Sequence, residues 1–186
     1  YDPIFFSDRY TKEYHIKAFK SIAEVLSGYT EKCVISFVDI YPKNKKNMDG
    51  LLSYELSDYE LREFAKELSK IAADNNIKLG SCAEKIDLDE CGIVHNSCID
   101  RELIEKIIGC KLNVEKDKNQ RIECGCVESV EIGTYNTCKN GCAYCYANYS
   151  SKSVETNAAK YDPLSPLLCG QVQELSLIHI SEPTRH

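Results

Sequence analysis

Five of the chain's eleven cysteines fall between Cys124 and Cys145, and no other feature of the sequence so limits what it can fold into. Thiols set this densely become disulfides, metal ligands or buried packing residues. A disulfide framework spreads its cysteines along the chain, whereas here Cys33, Cys82 and Cys110 stand singly and five crowd together. The crowding predicts a metal site. Its tightest part is Cys138-Lys-Asn-Gly-Cys142-Ala-Tyr-Cys145, a C-x3-C-x2-C spacing.

Histidine adds little to that site. Residues 175–185 read LSLIHISEPTR, which resembles the translation of a transposase adapter used in sequencing libraries, so 175–186 are set aside from fold reasoning as an artefact. His179 and His186 go with them, leaving His15 and His95, too few for a histidine-rich centre. At the other end, Tyr1 is no initiator and Tyr-Asp-Pro-Ile-Phe-Phe reads as the tail of a strand, which predicts a chain continuing upstream. A net charge of -6 argues against coating nucleic acid, which needs a basic face. No apolar run approaches the length that crosses a bilayer, so a membrane partner is not expected either.

Before the cysteines the pattern is regular. Ile16, Phe19, Ile22, Ala23 and Leu26 recur at helical spacing, with Thr11 placed to cap the start and Gly28 to end the helix. Residues 33–41, CVISFVDIY, form a β-branched and aromatic run that suits a strand buried on both faces. A polar loop follows, then Ser57-x-x-Glu60 predicts a capping box ahead of the stripe Leu61, Phe64, Ala65, Leu68, Ile71 and Ala72. Residues 77–83 read as a strand and 100–108 as a capped helix ended by Gly109. Alternating strand and helix predicts parallel strands, hence an α/β fold, and the few strands visible read as the C-terminal part of a TIM-barrel-like βα fold. Three segments result: a βα-repeat portion at 1–109, an irregular cysteine-rich iron–sulfur module at 110–174, and the artefact at 175–186.

Three thiolates on one short loop can each hold an iron of a 4Fe–4S cubane and leave the fourth iron open. Cys138, Cys142 and Cys145 are therefore the expected cluster ligands, and an open iron is what the amino and carboxylate groups of S-adenosylmethionine chelate. Cys124 and Cys126 lie a dozen residues earlier and can supply a further ligand, or join the three in a structural zinc site instead. The spacing favours iron–sulfur over zinc. Tyr144, Tyr146 and Tyr149 are placed to shield the loop from water and so tune a potential.

Other residues carry weaker signals. Cys82 and Glu84 fall at the C-terminal end of a strand, where barrels keep their chemistry, as do Asp39 and Tyr41 and, at the preceding strand, Asp2. Together they would line a substrate mouth facing the cluster, although the plainer reading, a small buried thiol and capping carboxylates, is preferred. Cys91-x3-His95-x2-Cys98 can chelate but lacks a fourth ligand nearby; Cys33 and Cys110 are read as packing residues. Lys116 to Arg121, KDKNQR, is expected to be a solvated charged turn.

The stretch Cys142-Ala-Tyr-Cys-Tyr-Ala-Asn148 resembles the cluster loop of spore photoproduct lyase-like radical SAM proteins. The segments RYTKEYH, EKCVISFVDIYPK, KDKNQR, CGCVES and YNTCKNGCAYCYANYS resemble more closely a bacterial family of unknown function, number 1848, over nearly all of residues 1–170. Members of that family begin upstream of Tyr1, and the resemblance assigns no activity. The order of parts departs from ordinary radical SAM enzymes, whose cysteine loop follows the first barrel strand; here it comes last, and no glycine-rich segment for the SAM amino group is evident. The expectation is thus a cytoplasmic bacterial iron–sulfur protein of radical SAM type, drawing on an electron donor and an unknown substrate. The alternative is a zinc-binding or electron-transfer module without catalysis.

Overall fold

The computed structural model describes residues 1–42, 44–52 and 55–170. Residues 175–186, with His179 and His186, lie outside the described residues. The chain divides into two compact units, the first made of Tyr1–Ile40 and Asp49–Val130. The second comprises Tyr41–Met48 and the chain from Glu131 on. The first unit thus runs past Gly109, where the regular pattern stops.

In the first unit, helix α1 spans Lys12–Leu26 and strand β1 Lys32–Ile35; helix α3 spans Asp58–Asp74 and strand β2 Lys78–Ser81. A 3-10 turn at Asp89–Cys91 leads into strand β3, Val94–His95, and then helix α4, Arg101–Ile108. (The four-residue helix α2, Lys45–Met48, belongs to the second unit.) The strands form one parallel sheet in the order β1-β2-β3, with Ile35 opposite Ser81 and Gly80 opposite Val94. Ile4 extends it through a parallel bridge to Phe37. Successive carbonyls of a strand point to opposite sides. Ile35 O accepts from the Cys82 N–H and Ser36 O from the Ile4 N–H, so Ile4 flanks β1 on the side away from β2. Spatial order therefore follows chain order, and the sheet is open.

Helix starts are set by side-chain oxygens that satisfy orphan N–H groups. Thr11 Oγ1 accepts from the Tyr14 N–H at 3.2 Å. At α3 the Ser57 Oγ accepts from the Glu60 N–H, and the Glu60 carboxylate accepts from the Ser57 N–H at 3.0 Å, a complete capping box. Asp100 caps α4 and also pairs with Lys32 at 3.1 Å, tying that helix to β1. Gly109, at φ +73°, ends α4 in a conformation that a Cβ disfavours.

The core lies where α1 and α3 cover the sheet. Phe19 and Ala23 of α1 meet Phe64, Ala65, Leu68 and Ala72 of α3 above Ile4, Ile35 and Leu79. Ala65 and Ala72 are fully buried, and their small side chains let α3 lie close to its neighbours. Each large apolar side chain buried this way contributes about 1.5–3 kcal/mol.

Two expectations change. The buried face of α1 is turned toward His15, while Ile22 and Leu26 stay about half exposed. The imidazole can be buried because both ring nitrogens have partners, Phe5 O at 2.9 Å and the Tyr1 hydroxyl at 2.8 Å. The run 33–41 gives only a short strand, because past Ile35 the chain pairs with Ile4 alone; its burial is partial, with Lys32 exposed.

Replacing Ser57 by Ala should lower the stability of the first unit by about 1 kcal/mol. Ser57→Asp, which keeps an acceptor, should not. Urea titration followed by circular dichroism reads the difference.

Candidate metal centre

The C-x3-C-x2-C loop belongs to the second unit, and one side chain organises it. Asn136 is buried, at 5% exposure, in a region that is otherwise largely open. Its Oδ1 accepts from the Tyr149 N–H at 3.0 Å and from the Ser150 N–H at 3.2 Å. Its backbone N–H donates to Ala147 O at 2.9 Å, and its carbonyl accepts from Asn157 Nδ2 at 3.1 Å. These four bonds join the residue two places before Cys138 to the chain just beyond Cys145, so the loop is clamped at its base. The backbone of Asn136 sits at φ +57°, which asparagine tolerates better than most residues.

Helix α5, Ser151–Ala159, completes the clamp. Ser150 caps it by accepting from the Ser153 N–H at 3.2 Å, and Asn157 on its last turn reaches back to Asn136. Within the loop Gly141 takes φ +65°, the Cys145 N–H donates to Cys142 O at 3.1 Å, and Asn148 Nδ2 donates to Cys138 O. Cys138 and Cys142 are exposed and Cys145 is half-buried. Tyr144 is half-buried against Tyr41, with ring centroids 6.4 Å apart. Tyr146 and Tyr149 are largely solvent-exposed, so two of the three rings expected to shield the loop do not cover it.

Cys124 and Cys126 lie in the first unit. The segment carrying them pairs antiparallel with 115–117: the Asp117 N–H donates to Cys126 O at 3.0 Å and the Glu128 N–H to Glu115 O at 2.9 Å. Both thiols are buried and pack with Ala83, next to Cys82 and Ile99. The Cys82 and Cys98 sulfurs are 3.4 Å apart. Burial, the Cys98 thiol hydrogen-bonded to it and nearby Asp2 push the Cys82 thiol up to about 12. Burial likewise raises Cys124, and the neighbouring Cys126 thiol adds to the effect against the pull of the Cys126 N–H.

The remaining cysteines separate. Cys91 sits in the main core with its thiol 3.5 Å from Arg62 O, whereas Cys98 lies beside Cys82, so the Cys91-x3-His95-x2-Cys98 spacing does not gather one ligand set. Cys33 packs against the core, but Cys110 is exposed rather than packed. The KDKNQR turn is not wholly solvated. Asp117 is buried and holds the turn through the Asn119 N–H at 2.8 Å, and Arg121 pairs with Asp39.

At the strand ends Glu84 accepts from the Phe37 N–H at 2.7 Å, bridging the segments that follow β1 and β2. Burial raises its carboxyl above the usual range; the Phe37 N–H and Arg121 pull it down, and Asp39 and Asp2 push it up. Asp39, Ala83 and Glu84 border a hollow of about 280 Å³. Glu84 is thus a structural acceptor as well as a carboxylate at the sheet's C-terminal edge.

Among the described residues, no three His, Cys, Asp or Glu side chains stand ready round one point as in a loaded metal site. Among the same residues no helix is long and apolar enough to cross a membrane. A family model described as a domain of unknown function, DUF1848, matches residues 1–147, a span that includes Cys124, Cys126 and all three loop cysteines. The chain belongs to that family. No curated protein and no solved structure matches it.

Asn136 is the residue that sequence reasoning passed over. Its signal is slight: a polar side chain two places before the cysteine triplet, of a type that takes a left-handed turn more readily than most. Asn136→Ala should remove the acceptor of two hydrogen bonds and add backbone strain, costing the loop about 1–3 kcal/mol of local stability. Asn136→Gly removes the same acceptor without the strain. Hydrogen exchange at the Tyr149 and Ser150 amides should quicken in both variants; unchanged protection would show that the clamp lies elsewhere.

Proposed function

We propose that this protein is an iron–sulfur protein in which Cys138, Cys142 and Cys145 hold a 4Fe–4S cluster, and that S-adenosylmethionine completes the site. The observation that carries this reading is the clamped loop itself. Three thiols and no carboxylate sit on eight consecutive residues, closed at the base by Asn136 and open to solvent at Cys138 and Cys142. The soft thiolate donors suit an iron–sulfur cluster, and three ligands leave one position for a small-molecule chelate. Bound there, a reduced cluster supplies the electron that cleaves the sulfonium of SAM. The protein's own part is to fix three sulfurs on one turn, with Gly141 permitting that turn and Tyr144 half-covering it. An external electron donor is implied, and the substrate class is open.

The order of the parallel strands supports reading the first unit as part of a βα barrel, since a barrel wall places successive strands side by side in chain order. In that reading Asp39 and Glu84 occupy the strand ends where barrel enzymes bind substrate.

The test is anaerobic reconstitution with iron and sulfide, followed by EPR of the reduced protein with and without SAM. A cluster signal that shifts on adding SAM supports the full reading. A cluster signal indifferent to SAM would reduce it to electron transfer or structure, and a colourless protein holding only zinc would overturn it.

A further inference from the structure

We propose that Cys82, Cys98, Cys124 and Cys126 form a second metal centre, a tetrathiolate site for a single zinc ion, built wholly within the first unit. The argument begins with how the chain delivers them. Cys82 directly follows β2 and is fixed by its N–H donating to Ile35 O at 2.8 Å. Cys98 lies in the turn between β3 and α4, and Cys124-Gly-Cys126 is held against that turn by the Val127 N–H donating to Ile99 O at 3.2 Å. Three separate stretches thus bring four thiols together, with Cys124 and Cys126 buried.

The spacing suits one ion. The Cys82 and Cys98 sulfurs stand 3.4 Å apart. A disulfide would need about 2.05 Å, whereas a tetrahedron of 2.3 Å zinc–sulfur bonds has edges of about 3.8 Å. A cubane would spread its thiolates wider than either. The four sulfurs do not yet surround one point, so loading requires side-chain rotation between staggered wells.

Two N–H donors already reach sulfurs of the group. The Ile99 N–H donates to Cys126 Sγ at 3.3 Å and Asn96 Nδ2 to Cys98 Sγ at 3.8 Å. Such donors are the usual outer partners of metal-bound thiolates. Gly125 lets the segment approach the 96–98 turn closely: a Cβ there would fall 2.5 Å from Ser97 Oγ and force that hydroxyl aside. Ala83 takes φ +49° immediately after Cys82, a conformation rare for a residue with a Cβ.

An ion would also add stability that this region's small apolar cluster does not. Apart from the cysteines, its satellite cluster contains only Ala83 and Ile99. So little apolar surface adds little to the backbone hydrogen bonds that hold these segments, whereas a structural zinc site would supply folding free energy directly.

The test uses the full chain carrying Cys138→Ser, Cys142→Ser and Cys145→Ser, so that the other loop cannot contribute. Titration with Co²⁺ should give one equivalent of binding, with strong thiolate-to-cobalt charge transfer and the d–d bands of tetrahedral cobalt, displaced by zinc. Adding Cys82→Ser and Cys126→Ser should abolish those bands. Because that variant could misfold, unmutated protein is alkylated with iodoacetamide with and without zinc. Zinc should slow labelling of Cys82 and Cys98 several-fold and leave exposed Cys110 unchanged. Absent cobalt bands in the triple variant, equal labelling of Cys82 and Cys98 with and without zinc, or a Cys82–Cys98 disulfide that persists under zinc would each overturn the proposal. None of these outcomes depends on a cluster at the other loop.

Discussion

The parallel pairing of β1 with β2 beneath α3 is the constraint from which the first unit follows. Ile35 opposite Ser81 fixes the register, and the next bond, from Cys82 N–H to Ile35 O, sets where the chain leaves the sheet. A slip of one residue would exchange the faces of β2, sending Leu79 and Ser81 away from their places. Cys82 and Glu84 emerge at the C-terminal edge because that register holds. Glu84 then closes the edge by accepting from Phe37, and Gly80 allows β3 its approach, with Asn96 Cβ only 3.0 Å from where its own Cβ would stand.

The second unit is ordered by a different kind of force. It offers little apolar burial, and its described part is tied by the polar contacts of Asn136, the Ser150 cap and Asn157. Hydrogen bonds of this sort contribute modestly each, about 0.5–1.5 kcal/mol. A loop held that way stays adaptable at its tip while its ends are fixed. That combination suits ligands that must receive a metal after folding. The four thiols of the first unit differ in that their backbone positions are set by the sheet and by the close approach at Gly125.

Much of the local structure was legible in the sequence. Thr11, Ser57 and Asp100 cap helices because each offers a short oxygen just before a periodic apolar stretch, and Gly109 ends α4 for the converse reason. What escaped was long-range. His15 takes a core place only because Tyr1 and Phe5 happen to satisfy it, which no helical period reveals. Helix α4 buries none of its residues despite a clear apolar stripe, since periodicity marks a face without saying what covers it. The partnership of Cys82 with Cys98, Cys124 and Cys126 spans residues far apart in the chain and depends on sheet register. Spacing alone offers Cys98 only the weak Cys91-x3-His95-x2-Cys98 grouping.

The central claim, that the clamped loop holds a four-iron cluster, is tested most directly by counting iron and acid-labile sulfide after anaerobic reconstitution. The comparison is between the protein and its Cys142→Ala, Cys145→Ala double variant. Sulfide is the deciding quantity, since a mononuclear thiolate site binds metal without it. The account predicts about four sulfides per chain in the parent and essentially none in the double variant. Equal sulfide in both proteins would contradict it and move the cluster away from this loop.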